Sequence, residues 1–217
     1  MNRLIAFGCS HTFGHGLSDC WIEKEKTHGV YPSKYAWPTI LARHMNRFPV
    51  NMGICGAAAN QISNNIVRYN YRKNDIVVVL WTHTNRHSVV YQNGSASQMS
   101  AYAATLNKKS KIWLKNFYDE YDSLINYASS IITAQKFLEK NNIPSMHFIV
   151  EDIQSDVEKY KVNKFFELID LDNNGIFFYD NPIRDVALDN AHLGPETHKW
   201  FAQEIYTYFT KKQLTDH

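Results

Sequence analysis

The sequence predicts an α/β protein with a parallel sheet and helices on both of its faces. Three observations lead there. Short apolar runs alternate along the chain with amphipathic stretches of helical period, the pattern of repeated strand–helix–strand units. One run, Ile76 to Trp81, is apolar without alternation and rich in β-branched residues, as suits a strand covered on both faces. The 217 residues, 44% hydrophobic and 20% charged, have an ordinary globular composition and suit one domain with a sizeable core.

The elements follow in order. A first strand over residues 4–7 starts almost at once and runs into Gly8-Cys9-Ser10-His11-Thr12-Phe13-Gly14. A helix over 35–47 places Trp37, Ile40, Leu41 and Met45 at helical spacing. A second strand covers 50–54, and a helix over 60–69 aligns Ile62, Ile66 and Tyr69. The third strand is 76–81. Residues 113–140 read as one long helix, with a stripe running from Trp113 through Phe117, Tyr121, Leu124 and Ile131 to Leu138 and a stop at Asn141-Asn142 and Pro144. Strands at 146–150 and 176–179 complete the set. The last helix opens at Gly194-Pro195-Glu196, with proline in the first turn, where no amide partner is needed. Its buried stripe is Phe201, Ile205, Tyr208 and Phe209. Right-handed crossovers fix most of the topology. Residues 87–111 and 152–174 lack a firm period and read as excursions from a single domain spanning 1–217.

Charge and cysteine content narrow the function classes. Lys+Arg 23 against Asp+Glu 21 leaves +2 with no basic patch, so nucleic acid is not an expected partner. The longest clean apolar run is far too short for a bilayer, so no membrane partner is expected. One arginine and four apolar residues at the N-terminus do not make a signal peptide. Cys9, Cys20 and Cys55 are odd in number and sparse, which argues against a disulfide framework and for a reducing compartment. The expected location is cytoplasmic.

In open α/β sheets, ligands bind outside the carboxyl ends of the strands, and four short motifs fall there. They are Gly8-Cys9-Ser10-His11-Thr12 after the first strand and Asn51-Met52-Gly53-Ile54-Cys55-Gly56 around the end of the second. Thr82-His83-Thr84-Asn85-Arg86 follows the third, and Asp189-Asn190-Ala191-His192-Leu193 precedes the last helix. From the residues alone, Ser10 is a candidate nucleophile, His192 its base and Asp189 the orienting carboxylate. An alcohol needs an adjacent base held by a third group. Asp and His three residues apart can share one side of a turn. Gly56, lacking Cβ, lets backbone approach a ligand.

Taken together, the four motifs resemble the blocks of the SGNH hydrolases, the GDSL esterase/lipase family. The first block is a Gly-Asp-Ser-x-Thr turn, with Cys9 here in place of Asp. The second is Asn-x-Gly-x-x-Gly, matched at every defined position, and the last is Asp-x-x-His, also matched. The third, Gly-x-Asn-Asp, keeps only Asn85, with His83 and Arg86 at the flanking positions. The resemblance covers nearly the whole chain in order and spacing. It implies a three-layer α/β/α sandwich around a flavodoxin-like five-stranded parallel sheet. It also implies ester hydrolysis by a Ser10–His192–Asp189 triad through an acyl-enzyme. The oxyanion donors it implies are the backbone N–H of Ser10, the N–H of Gly56 and the side-chain amide of Asn85. No metal or organic cofactor is implied. The substrate is expected to be a small molecule or a carbohydrate ester, such as a sugar O-acetyl group.

Plainer roles stay open to the same residues. Ser10 can cap the next segment, Asp189 can form a turn, and Gly53 and Gly56 can serve turns that the catalytic reading needs as well. Cys9 and Cys55 read as packing. Arg86 suits an anionic substrate group or a carboxylate partner equally. His11, His15, His83, His87 and His192 crowd the presumed mouth. Without Cys-x-x-Cys or His-Glu-x-x-His they read as cleft polarity, with His11 and His83 among the substrate contacts, rather than as a zinc site. His83 is also an alternative oxyanion donor to Asn85. Three other functions stay in view: an acyltransferase using the same triad, a non-catalytic binding module, and a flavodoxin-like nucleotide binder. The last is disfavoured because no phosphate-binding glycine motif appears.

Overall fold

A computed structural model describes residues 2–93, 95–100, 103, 105, 107–172 and 183–215. The central strands are β1 (Arg3–Gly8), β4 (Phe48–Gly53), β5 (Ile76–Trp81) and β8 (Ser145–Ile149). They form a wholly parallel sheet in the order β4-β1-β5-β8. The strand expected at 176–179 lies outside the described residues. Two small antiparallel hairpins accompany the sheet: β2 (Trp21–Ile22) with β3 (Thr27–His28), and β6 (His87–Val90) with β7 (Ala96–Met99).

The third strand shows why the protein has three layers. Ile76, Val78 and Leu80 enter a core with Trp37 and Leu41 of α2 (Trp37–His44) and Phe201 and Ile205 of α8 (Pro195–Thr215). Val77, Val79 and Trp81 enter the opposite core with Ile62 and Ile66 of α3 (Ala59–Arg68) and Leu124, Ile131 and Leu138 of α5 (Glu120–Lys140). A strand buried on both faces needs apolar residues at both parities, and 76–81 has them. The sheet therefore carries helices on both faces, as the sequence predicts.

Two expectations change. The single helix over 113–140 is two, α4 (Lys108–Asn116) and α5. Asp119 caps α5 by accepting the Asp122 amide at 3.0 Å, and a local cap outweighs a continuing apolar period. Phe117 (69% exposed) and Tyr121 (48%) accordingly lie outside the core. The excursions also have structure of their own. The first holds the β6–β7 hairpin and the start of α4. The second holds the short helices α6 (Gln154–Tyr160) and α7 (Asn163–Phe166). Among the described residues, no helix is long and apolar enough to cross a membrane.

Candidate active site

The site lies at the carboxyl ends of β1 and β5, where the connection out of β1 runs to β4 on one side and the chain later returns to β5 on the other. That is a topological switch point, the usual ligand position in such sheets. Beyond Gly8 the chain turns into a single helical turn, α1 (Ser10–Phe13). Thr12 and Phe13 amides donate to Cys9 O, both at 3.0 Å, and Gly14, at φ 83°, closes the turn onto Ser10 O at 2.9 Å. Ser10 sits in the first position of this turn, where no carbonyl of the turn can accept its N–H. It is 5% exposed.

The second motif holds α1 in place. The Asn51 side chain donates to Thr12 O at 2.7 Å and accepts the Gly53 amide at 2.9 Å. A Cβ on Gly53 would come within 2.4 Å of Phe13 N, so glycine is required for the helical turn to lie this close to β4. Gly56 has φ 75°, and a Cβ there would meet the Gln98 side chain of β7. Gln98 Nε2 donates to Cys55 O at 2.6 Å. The β6–β7 hairpin thus lies over the Gly56 turn, and Asn60 pins it through Ser88 O at 2.6 Å and Ser88 N at 3.1 Å.

Asp189 and His192 sit in a tight turn before α8. Ala187 N donates to His192 O, and Asn190 takes a left-handed conformation at φ 56°. Asp189 Oδ1 accepts the amides of His192 at 3.0 Å and Ala191 at 3.1 Å, and His192 Nδ1 lies 2.5 Å from Asp189 Oδ2. Burial pushes the Asp189 carboxyl up. The two amides and the ring outweigh it and hold the group below the usual carboxylate range. With Nδ1 occupied by a carboxylate, Nε2 is the ring nitrogen turned away from Asp189. Asp185 caps the helix that follows, accepting the amides of Thr197 at 2.8 Å and Glu196 at 3.0 Å.

The first turn and this closing turn pack together. Leu188 N donates to Gly16 O at 3.0 Å. The His11 ring centroid, one residue from Ser10, is 5.5 Å from that of His192. The structure thus brings the first and last motifs to one place. His11 is buried. Burial first, then the nearby His192 and His83 rings, holds it far below the usual imidazole range.

His83 and Asn85 part company. His83 is half-buried, its ring 6.5 Å from that of His11 and its Nδ1 2.8 Å from Glu151 Oε2. Glu151 Oε1 accepts the Thr84 amide at 2.7 Å. Burial raises the Glu151 carboxyl, but its contacts with His83 and Thr84 bring it below the usual range. Asn85 is exposed on the turn. Arg86 donates to Thr82 Oγ1 at 3.0 Å, and no carboxylate among the described residues pairs with it.

Sequence reasoning passed over Glu151 and His28. Glu151 stands just past the fourth strand, at the ligand-bearing end, and that position was its only signal. His28 lies in a charged segment with no period, and the β2–β3 hairpin delivers it to His15, ring centroids 5.0 Å apart. His15 in turn stacks on His192 at 4.3 Å and 13°.

No protein-family model matches the sequence, and neither does any curated protein. Solved structures do. A G-D-S-L family lipolytic-type protein from Desulfitobacterium hafniense is similar over 96% of this chain and 99% of its own, with a TM-score of 0.55 at 13% identity. A carbohydrate esterase, described as having divergent catalytic and non-catalytic binding functions, matches 97% of this chain at TM-score 0.56 and 12% identity. An acetyl xylan esterase from the rumen bacterium Butyrivibrio proteoclasticus matches 98% at TM-score 0.53 and 15% identity. The chain spans 65% and 64% of the lengths of these last two. The fold is that of the SGNH hydrolases.

Proposed function

We propose that this chain is a serine esterase acting on a small ester, with the O-acetyl group of a carbohydrate as the leading substrate class. One observation carries the reading: an Asp189–His192 pair packed against the turn that bears Ser10, at the switch point of the sheet. Esterases of the same fold that act on carbohydrates support the substrate class.

In this reading Ser10 Oγ attacks the acyl carbon and its proton passes to His192 Nε2. Asp189 holds the ring and stabilises the imidazolium. The tetrahedral oxyanion takes hydrogen bonds from the N–H groups of Ser10 and Gly56 and the amide of Asn85. Collapse expels the alcohol, which receives the proton from His192. Water, deprotonated by His192, then opens the acyl-enzyme. His11, His83 and Arg86 face the alcohol portion, and the β6–β7 hairpin walls the cleft over Gly56.

A second reading of the oxyanion hole replaces Asn85 by His83. It is favoured by the His83 ring lying near His11 and being held by Glu151, whereas Asn85 is exposed. With Nδ1 bound to Glu151, His83 donates from Nε2 only as the imidazolium.

A fluorophosphonate probe tests the core of the proposal. It should label the folded protein at Ser10, and Ser10→Ala should remove both the label and the hydrolysis of p-nitrophenyl acetate. Labelling at Cys9, or no label on folded protein, would refute it. Product formed with an added sugar alcohol would instead identify an acyltransferase.

A further inference from the structure

We propose that His15, His28 and Cys55 form a site for a divalent transition-metal ion of the zinc class, with three protein ligands and a fourth position open to the adjoining cleft. The proposal does not rest on the esterase reading, although His15 stacks on His192. One ligand atom from each residue lies within 4.8 Å of the other two. Around a tetrahedral zinc, with bonds of about 2.0–2.1 Å to nitrogen and about 2.3 Å to sulfur, such atoms stand roughly 3.3–3.8 Å apart. Side-chain movements of about 1 Å close that gap. Two imidazoles and a thiolate are the donors that zinc, cobalt(II) and copper prefer and that magnesium and calcium do not.

The histidine is oriented as a ligand, and burial pushes the Cys55 thiol up, so an ion binding there must displace its proton. His28 Nδ1 is 2.7 Å from Gly29 O. A carbonyl can only accept, so Nδ1 carries the proton and Nε2 presents its lone pair. A backbone carbonyl on the far nitrogen is the usual partner of a metal-bound histidine, setting its tautomer and ring orientation. The three ligands come from segments that are each tied down. His15 N donates to Ser10 O at 3.1 Å, Gly29 N to Cys20 O at 2.6 Å, and Gln98 Nε2 to Cys55 O at 2.6 Å. His28 and Cys55 line an open cleft of about 360 Å³ with Phe13, Val30, Pro32 and Met52, which supplies an entry path.

A competing trio, His15, Asp189 and His192, is equally compact. There the Asp189–His192 contact is already made at 2.5 Å, and an ion would have to displace it. The His15–His28–Cys55 set leaves that contact in place and asks only that His15 Nε2, 3.6 Å from Asp189 Oδ2, turn toward the ion or bind through its other nitrogen.

Cobalt(II) titration of the full chain, after treatment with a chelator, tests the site. One equivalent should bind with the near-ultraviolet thiolate-to-cobalt band and the intense visible spectrum of a tetrahedral centre, and zinc should displace it. Cys55→Ser should remove the thiolate band, and His28→Gln should weaken zinc binding by about tenfold or more. Thermal melting confirms that each variant is folded. Asp189→Asn should bind as the parent does. A folded parent chain without the thiolate band, or binding lost in Asp189→Asn and kept in Cys55→Ser, would overturn the proposal.

Discussion

Two imidazole–carboxylate pairs stand near His11, and they differ in how they are built. Asp189 and His192 are three residues apart in one turn, and Asp189 also holds two amides of that turn. His83 and Glu151 are 68 residues apart, on the loops that leave β5 and β8. The contact is the same in each, Nδ1 to a carboxylate oxygen, at 2.5 and 2.8 Å. The first pair needs only its own turn to form, whereas the second exists only after two neighbouring strands have paired in register. A histidine–carboxylate pair can thus be encoded locally in one turn, while a second pair beside it depends on the assembled sheet.

On the proposed function, the two pairs should differ most at their histidines. His192→Ala and Ser10→Ala should each lower kcat by roughly 10⁶-fold in folded protein, and His83→Ala should fall far short of that in steady-state kinetics. Equal losses for the two histidines would exchange their roles.

The carboxylates come next. Asp189→Asn should cost about 10⁴-fold in kcat by presenting the wrong tautomer to Ser10. Glu151→Gln should cost at most about 10²-fold, the effect of a displaced wall. A Glu151→Gln loss as large as that of Asp189→Asn would make His83–Glu151 the reacting pair.

A smaller effect separates the oxyanion donors. Asn85→Ala should lower kcat by about 10²–10³-fold, with KM little changed, and His83→Ala should not. The reverse result would assign the donor to His83 and explain why Asn85 is exposed.

The mildest test is thermodynamic. Burial, then the adjacent His192 ring, lowers His15 to about 4, and burial lowers His198 to about 4. The unfolded chain therefore takes up these protons first. The stability they contribute is present above about pH 6.5 and is lost as pH falls toward 4. Chemical denaturation between pH 7 and 4 should show that decline, and His198→Asn should flatten part of it. Glu151→Gln should also lower stability at pH 7, by about 0.5–1.5 kcal/mol, because a half-buried contact joining two loops is weakened. An unchanged slope in His198→Asn would mean that other groups carry the acid response.

Shortening the β6–β7 hairpin should alter substrate preference more than melting temperature, since it lies over Gly56 and outside both cores. A large drop in melting temperature with unchanged preference would make it a packing element.

Where information is local, the sequence alone determined the outcome. Both parities of 76–81 are apolar, so that strand had to be covered twice, and the layered fold follows. Asp189 and His192 pair because three residues of one turn bring them together. Gly56, without a Cβ, signals a close approach by its own chemistry, and Gln98 makes it. Where contacts join distant segments, only the tertiary structure decided. Glu151 meets His83 because β5 and β8 are neighbours, and His28 reaches His15 because a short hairpin folds back over the first turn. Gln98 covers Gly56 from a stretch that has no period of its own. The break between α4 and α5 shows the limit from the other side. Apolar spacing favours one continuous helix, yet the Asp119 cap ends it and Phe117 and Tyr121 stay exposed, because burial is a property of what lies opposite and a sequence does not state what lies opposite.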